Sequence, residues 1–199
     1  MTKWSGTLTR QNIAKHVSCV ALHHATKYAE EAAALIGKQW NHKDREVERN
    51  IRSMVQESKD NLPCHLALLL KVPTTPSTEE VEEEVGHKEH GYEVVGHLKL
   101  VRAASRGDGT ACIMYSLVVD EDLRGLGLGR LLTEEGEKYA RELNISYMYL
   151  FTDDKVPFYE HIGYKQCEPI SSLGKNASRL NVKQLSALEN LFAKRQVFS

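Results

Sequence analysis

Three glycines at alternate positions, Gly125, Gly127 and Gly129, separate a β-prone run from an amphipathic helical pattern. The run over 112–119 is largely apolar, and apolar residues recur at helical spacing over 128–143. Glycine lets the backbone turn tightly and bring its N–H groups close to a ligand. A helix that begins at the same point adds unpaired N–H groups and the positive end of its dipole. The segment therefore predicts a strand–turn–helix unit whose turn binds an anion such as a pyrophosphate.

The spacing of these glycines does not fit two well-known phosphate-binding loops. A Walker loop has lysine and then serine or threonine after its last glycine, whereas Arg130 follows Gly129 here. A dinucleotide fingerprint reads G-x-G-x-x-G, whereas this segment reads G-x-G-x-G. The pattern that remains is Arg-x-x-Gly-x-Gly, formed by Arg124, Gly127 and Gly129. Because it lies between a strand and a helix, we interpret it as a cofactor-binding turn; a plain glycine-rich turn is the alternative.

Hydrophobic patterning predicts the order of the elements around this turn. The order is β-α-α-β-β-β-α-β-α-β-β, which is typical of an α/β sheet with a parallel β-α-β centre. The whole chain, 1–199, is predicted to form a single domain. The predicted strands are 16–22, 65–72, 92–102, 110–119, 146–151, 163–169 and 191–197, and the predicted helices are 25–40, 43–60, 128–143 and 157–162.

Charge is unevenly distributed along the chain, although 26 basic and 27 acidic residues give a formal net charge of −1. Six of the glutamates lie in the run 79–90, beside a single lysine. We interpret 73–91, which opens with Pro73 and Pro76, as a long, exposed and mobile acidic loop. The rest of the chain is mildly basic, which is too weak to predict binding to nucleic acid or to a membrane surface.

Three further classes of protein are disfavoured by what the sequence lacks. No apolar run approaches the length of about 18 residues that a membrane span needs. Residues 1–10 lack the apolar core of a signal peptide, and the four cysteines form no C-x-x-C pair. No cysteine or carboxylate set completes a tetrahedral site with the histidine pairs at 23–24 and 87–90. We therefore expect a cytoplasmic protein with free thiols and no metal.

A second motif, F-Y-E-H-I-G-Y over 158–164, follows the next predicted strand. Together with the Arg-x-x-Gly-x-Gly turn, it resembles the GNAT superfamily of acetyltransferases, and the resemblance extends over residues 16–170. The resemblance implies an α/β GNAT fold with a mixed central sheet of about seven strands, a splayed parallel pair and about four helices. It also implies acetyl-CoA as the cosubstrate.

In that superfamily the cofactor lies along the main chain of a central strand and over the glycine turn, and a tyrosine often protonates the departing thiolate. Tyr159 matches the position of that tyrosine, with core packing of an aromatic pair as the alternative. The resemblance implies that the cofactor contacts Leu117, Val118, Val119, Arg124, Gly125, Leu126, Gly127, Leu128, Gly129, Arg130 and Val156.

Acetyl transfer to an amine also requires the amine to lose a proton. A peptide α-amine has a pKa of about 7.7–8.0, so a modest general base, or a water leading to one, suffices. His97 is the candidate base, because it lies on a predicted central strand that faces either the cleft or the core. A purely structural histidine is the alternative, and Tyr115 and Asp153 are weaker candidates.

Four segments narrow the resemblance to the actin N-terminal acetyltransferases: Q-W at 39–40, L-P-C at 62–64, V-G-H at 95–97 and the stretch 119–129. That family acetylates the processed N-terminus of actin, which begins with acidic residues. Arginine binds carboxylates in a bidentate manner, so cations in this region are candidate acceptor ligands, with solvated surface charges as the alternative. The candidate substrate-binding residues are Trp40, His42, Arg45, Arg49, Lys99 and Arg102.

The chain departs from that family at one point. Vertebrate members carry a proline-rich insertion between the last two strands, linked to the recruitment of profilin with actin. Residues 170–190 contain no proline here, so profilin docking by that route is not expected. Two rival functions stay open: a GNAT enzyme for a lysine side chain or a polyamine, the latter favouring an acidic cleft, and a non-catalytic acyl-CoA-binding scaffold.

Overall fold

The computed structural model describes residues 8–56, 61–72, 91–103, 109–152, 154–167 and 196–198. Within them a six-stranded sheet has the strand order β1-β2-β3-β4-β5-β6. The strands are β1 (Val17–Ala21), β2 (Cys64–Lys71), β3 (Tyr92–Arg102), β4 (Ala111–Val119), β5 (Tyr147–Thr152) and β6 (Gln196–Phe198). The α-helices are α1 (Ala29–Trp40), α2 (Asp44–Val55), α3 (Leu128–Glu142) and α4 (Val156–His161).

The predicted α/β class and its parallel centre are confirmed. Among the described strands β4 and β5 form the parallel pair, with α3 as the crossover between them, and the other neighbours are antiparallel. Six strands rather than about seven are seen in the described residues. The predicted strand at 163–169 appears over 163–167 only as an isolated bridge at Gln166.

Two apolar layers enclose the sheet. On one face α1 and α2 pack through residues such as Ala32, Ile36 and Met54. On the other face Leu132 of α3 is fully buried in a larger cluster. Gly136 lets α3 approach β3, because a β-carbon at residue 136 would lie 2.9 Å from Leu98 Cδ2. Each fully buried leucine contributes about 1.5–3 kcal/mol to this packing.

A tight turn joins α1 to α2. Asn41 ends α1 in the left-handed conformation with a φ of 53°, a position that asparagine tolerates better than most residues. At the start of α2 the Glu46 Oε2 atom accepts the Lys43 N–H at 3.0 Å, which satisfies a donor that the helix leaves unpaired. The turn places the Trp40 and His42 rings 6.4 Å apart and nearly parallel.

The β4 strand bends away from β5 after its first half. The parallel ladder ends at Met114↔Leu150. On the other edge of β4 the register with β3 shifts between His97 and Lys99, and Ser116 has a φ of 54°. A bulge of this kind kinks and twists a strand. It therefore accounts for the splayed parallel pair, which leaves a gap between the second half of β4 and β5.

Several sequence-based predictions lie outside the described residues. They are the acidic loop at 73–91 except for Gly91, the end of the second helix at 57–60, Asp153, and the proline-free stretch 170–190. Within the part of the chain that the structure describes, no helix is both long enough and apolar enough to span a bilayer.

Candidate active site

A cleft of about 980 Å³ lies where β4 and β5 diverge. Its walls are residues 114–119 of β4, 150–152 of β5, the glycine turn before α3 and one side of α4. The end of α1 and the turn after it contribute Gln39, Trp40 and His42. Because β4 has no partner on its β5 side beyond Met114 among the described strands, its backbone there is available to a ligand.

The glycine turn forms an anion cradle at one side of this cleft. Gly125 and Gly127 have φ values of 81° and 90°, in a region that other residues rarely adopt. Gly127 is the N-cap of α3, and no side chain caps the helix. The first N–H groups of α3 therefore have no intrahelical partner and carry the positive end of the helix dipole. A β-carbon at residue 125 would meet nothing within 4 Å, so the turn is open to a ligand.

The side chain of Arg124 anchors this turn to α1. Its Nε donates to the Val119 carbonyl at 3.3 Å, and its Nη2 donates to Gln39 Oε1 at 2.6 Å. An ion pair between Lys38 and Glu121 makes a second link between the same two segments. The position of the cradle is therefore tied to the helix end that carries Trp40.

Arg10 is a cleft residue that sequence reasoning missed. Its side chain crosses Gly127, since its Nε lies 3.7 Å from the position that a β-carbon on residue 127 would take. Arg10 lies in a polar N-terminal segment without a motif, so nothing local in the sequence marks it. The fold brings this cation to the anion cradle, where it adds to the attraction for phosphate groups.

Replacing Arg10 with alanine is expected to raise the dissociation constant for coenzyme A by about three- to tenfold, because an exposed charge-assisted contact contributes modestly. Isothermal titration of the full chain measures this change. Lys15→Ala is the matched control, since Lys15 is exposed on the same segment and does not line the cleft. Equal affinities for the two variants would contradict a role for Arg10 at the phosphates.

Tyr159 lies in the cleft wall formed by α4. Its side chain is 7% exposed, and its ring packs edge to face against Phe158 and Tyr164 at centroid distances of 4.9 and 5.8 Å. Burial, and to a smaller degree the charge of Asp154, raises the pKa of the phenol to about 12. Tyr159 therefore keeps its proton at neutral pH and is able to donate it to a group in the cleft.

His97 lies beneath the cleft rather than in its wall. Its side chain is fully buried between the sheet and α2, and it is absent from the cleft lining. Its Nδ1 lies 3.2 Å from the Ser116 carbonyl oxygen, and its Nε2 lies 3.0 Å from His65 Nδ1. Burial lowers the pKa of His97 to about 4, so the ring is neutral at physiological pH.

The candidate acceptor-binding cations fall into two groups. Arg45 and Arg49 are exposed on α2. The pKa of the half-buried Lys99 is lowered mainly by burial and further by the charge of Arg49. Lys99 pairs across β3 and β4 with Tyr115, which lines the cleft. Arg102 instead donates from Nη1 to the Gly109 carbonyl at 2.6 Å, near the opposite end of β4.

Most of the predicted cofactor residues line the cleft, and two do not. Leu126 and Val156 pack against the apolar core on the α3 side instead. Arg130 lines the cleft while its Nε donates to Glu134 Oε1 at 2.7 Å. The lining residues from the predicted set are Leu117, Val118, Val119, Arg124, Gly125, Gly127, Leu128, Gly129 and Arg130.

The shape and charge of the cleft fit coenzyme A. The cradle and the cations around it suit a pyrophosphate, and the unpaired β4 backbone offers hydrogen bonds to an extended amide chain. Tyr159 lines the same cleft. The described residues contain no group of three or more potential metal ligands.

Comparison with known proteins also points to the GNAT acetyltransferases. Residues 56–164 match the model of the acetyltransferase (GNAT) family. The chain is 34% identical to mouse N-alpha-acetyltransferase 80 over 155 residues, which are 78% of this chain and 43% of the mouse protein. The chain thus spans less than half the length of that relative.

Solved structures share the fold at low sequence identity. An acetyltransferase from Trypanosoma brucei superposes with a TM-score of 0.52 at 18% identity, over 76% of this chain and 94% of that one. N-acetylglutamate synthase from Neisseria gonorrhoeae, solved with coenzyme A and N-acetyl-glutamate, superposes with a TM-score of 0.53 at 13% identity, over 92% of this chain and 34% of that one. Because the family model matches more than half of the chain, and the sheet has the splayed strand pair, the chain belongs to the GNAT acetyltransferase family.

Proposed function

We propose that this protein is an N-terminal acetyltransferase that moves an acetyl group from acetyl-CoA to the α-amine of an acidic protein N-terminus, with processed actin as the acceptor. The observation that carries the acceptor class is Lys99, which pairs with the cleft residue Tyr115 and lies within electrostatic range of Arg49. Identity to mouse N-alpha-acetyltransferase 80 and the resemblance to the actin N-terminal acetyltransferases support the same proposal.

The proposed reaction makes one bond to the acetyl carbon, breaks another, and moves one proton to the sulfur and one away from the amine. The neutral α-amine attacks the thioester carbonyl, the C–N bond forms, and the C–S bond breaks. Tyr159 Oη donates its proton to the departing sulfur, and its high pKa keeps that proton in place until then. After the C–N bond forms, the nitrogen loses its extra proton to water, and the Tyr159 phenolate regains a proton from water. No strong base is needed for the attack, because an α-amine with a pKa of about 7.7–8.0 is partly neutral at pH 7.

The charges on the acceptor side favour a ligand with carboxylates. Lys99 and Arg49 are like charges in proximity, and burial further disfavours the charged form of Lys99. No carboxylate in the described residues forms a salt bridge with either one. A carboxylate held between them would relieve their repulsion and offset the cost of burying the ammonium group. A polyamine would meet repulsion at the same place.

The proposal includes the cellular setting that the acceptor implies. Cys19, Cys64, Cys112 and Cys167 are free thiols, as in proteins of a reducing compartment. We therefore propose that the protein acts in the cytoplasm, where processed actin is the acceptor. Profilin docking through a proline-rich insertion is not part of the proposal.

A panel of amines tests the proposal. We expect acetyl-CoA turnover with peptides that begin Asp-Asp-Asp or Glu-Glu-Glu, and a kcat/KM lower by about 100-fold for peptides that begin Met-Leu or Ala-Lys, since two charge-assisted contacts are lost. Turnover confined to spermine or to lysine side chains would contradict the proposal. Coenzyme A binding without turnover of any amine would indicate a scaffold.

A further inference from the structure

A chain of four hydrogen-bonded residues, here named the histidine chain, crosses from α2 to β4 beneath the cleft. Ser53 Oγ lies 3.0 Å from His65 Nε2, and His65 Nδ1 lies 3.0 Å from His97 Nε2. His97 Nδ1 then lies 3.2 Å from the carbonyl oxygen of Ser116. Both imidazoles are buried, whereas Ser116 lines the cleft. The chain therefore connects a buried helix face to the wall of the active site.

The carbonyl at the end of the chain determines the direction of every hydrogen bond in it. A carbonyl oxygen only accepts, so His97 Nδ1 must carry the hydrogen that is donated to Ser116. In a neutral ring His97 Nε2 is then an acceptor and receives the hydrogen from His65 Nδ1. By the same reasoning His65 Nε2 accepts from the Ser53 hydroxyl. Both rings are thus Nδ1–H tautomers.

Both rings are neutral because they are buried beside a cation. Desolvation is the largest cause of the lowered pKa of each histidine, and the charge of Lys99 lowers both further. The mutual influence of the two rings adds to this effect at His65. Protonating His97 would place a second donor against His65 Nδ1–H, whereas protonating His65 would add a donor that faces the Ser53 hydroxyl. The tautomer chain is therefore stable across the physiological pH range.

Ser116 needs an anchor, because its backbone conformation is unfavourable for a residue with a side chain. Its φ of 54° lies in the left-handed region, which serine adopts only at a cost of about 1 kcal/mol or more. The same residue forms the bulge that separates β4 from β5. The hydrogen bond from His97, which does not line the cleft, holds the carbonyl of this residue.

We propose that His97 is a positioning residue that fixes the β4 bulge through the Ser116 carbonyl, and thereby holds residues 116–119 where the acetyl group is transferred. The inference rests on acetyl transfer in this cleft as proposed above. It replaces the role of general base, since the His97 nitrogen nearest the cleft wall carries a hydrogen and has no lone pair to offer an amine. Catalysis depends on such backbone placement, because a displacement of about 1 Å costs up to about 100-fold in rate.

The histidine chain also couples the bulge to the acceptor side of the site. Ser53 lies one helical turn after Arg49 on α2, so the two side chains project from neighbouring parts of one helix face. The Ser53–His65 hydrogen bond therefore holds the helix that presents Arg49. Loss of the Ser53 hydroxyl should affect acceptor binding, whereas loss of the His97 donor should affect the chemical step.

Two substitutions of His97 separate the positioning role from that of a base. The amide nitrogen of asparagine reproduces the place of Nδ1, and the amide of glutamine reproduces the place of Nε2. We expect His97→Asn to retain kcat within about threefold and His97→Gln to lower it by about tenfold or more. The shape of the pH–rate profile should be the same in His97→Asn and wild type.

A general base would give a different outcome. The value of kcat would then fall equally in both variants, and the limb of the pH–rate profile that reports the base would be absent from both. Equal losses in His97→Asn and His97→Gln, in proteins shown to be folded by circular dichroism, would overturn the inference. For Ser53→Ala we expect the acceptor KM to rise by about three- to fivefold with kcat unchanged; a loss confined to kcat would contradict the coupling.

Nitrogen-15 NMR of the full chain tests the tautomers without any turnover. We expect His65 and His97 to be neutral Nδ1–H tautomers throughout the physiological pH range, with the signals assigned through His65→Asn and His97→Asn. An Nε2–H tautomer at His97 would overturn the inference. This measurement needs no acceptor. Its result therefore tests the role of His97 even if the proposed acceptor class is wrong. Rates are measured with whichever amine of the panel the wild type turns over.

Discussion

Tyr159→Phe is expected to lower kcat for acetyl transfer by about 100- to 1,000-fold, the lower part of the range of about 100- to 10,000-fold that a positioned general acid contributes. The substitution removes one oxygen and keeps the ring that packs against Phe158 and Tyr164. The coenzyme A dissociation constant and the acceptor KM should therefore change little. Single-turnover kinetics with saturating acetyl-CoA measure the loss in the chemical step itself.

The high pKa of Tyr159 also determines a pH dependence. Burial favours the neutral phenol and raises its pKa to about 12, so the proton is present below that pH and is lost only above it. Wild-type kcat should therefore show no alkaline decline from this residue below a pH of about 11. A decline that disappears in Tyr159→Phe and has a midpoint near the ordinary tyrosine pKa would contradict this placement.

Tyr164→Phe is the matched control for this prediction. Its hydroxyl donates to Glu137 Oε1 at 2.9 Å and lies outside the cleft that Tyr159 lines. Losing that hydrogen bond should lower the free energy of unfolding by about 1 kcal/mol and leave kcat within about twofold of wild type. If the two phenylalanine variants had the same kcat, Tyr159 would have no part in proton transfer.

Arg49→Glu is expected to raise the KM for a peptide that begins Asp-Asp-Asp by about 30- to 100-fold, because it replaces a charge-assisted contact with repulsion. Lys99→Met, which keeps an apolar stem in its half-buried place, should raise the same KM by about tenfold. Neither change should alter coenzyme A affinity, since neither residue lines the cleft. Steady-state kinetics at two salt concentrations should also show a weaker salt dependence in both variants.

Arg141→Glu provides the control for charge. Arg141 is exposed on α3, on the opposite face of the sheet, and its ion pair with Glu137 is a surface contact of small value. This variant carries the same change in net charge as Arg49→Glu and should keep the wild-type KM. An equal rise of KM in the two variants would mean that net charge, and not a local contact, attracts the acceptor.

Local signals in the sequence predicted the elements and the turn well. Every helix and strand that the patterning predicts within the described residues is found within a few positions, except for the strand at 163–169. The glycine turn lies between β4 and α3 as expected, with Gly125 and Gly127 at positive φ. These features depend on neighbours in the chain, because periodicity and glycine's freedom at positive φ act over a few residues.

The positions of single side chains depended on contacts that no local pattern records. The side chain of a histidine on a central strand can lie on either face of the sheet. Only the packing of α2 against β2 and β3 makes His97 part of the buried histidine chain. Likewise Arg10 reaches the cradle from a segment without a motif, and Arg102 binds a hairpin carbonyl.

The amino-acid sequence by itself determined the family, the glycine turn and the order of the strands, since each of these follows from residues that are close together in the chain. Only the tertiary structure decided which way His97 points, and that Lys99 pairs with Tyr115 within electrostatic range of Arg49. The physical reason is that these contacts join α2, β2, β3 and β4 across long separations in sequence. Burial then lowers the pKa values of His97 and Lys99, and burial is a property of the packed molecule.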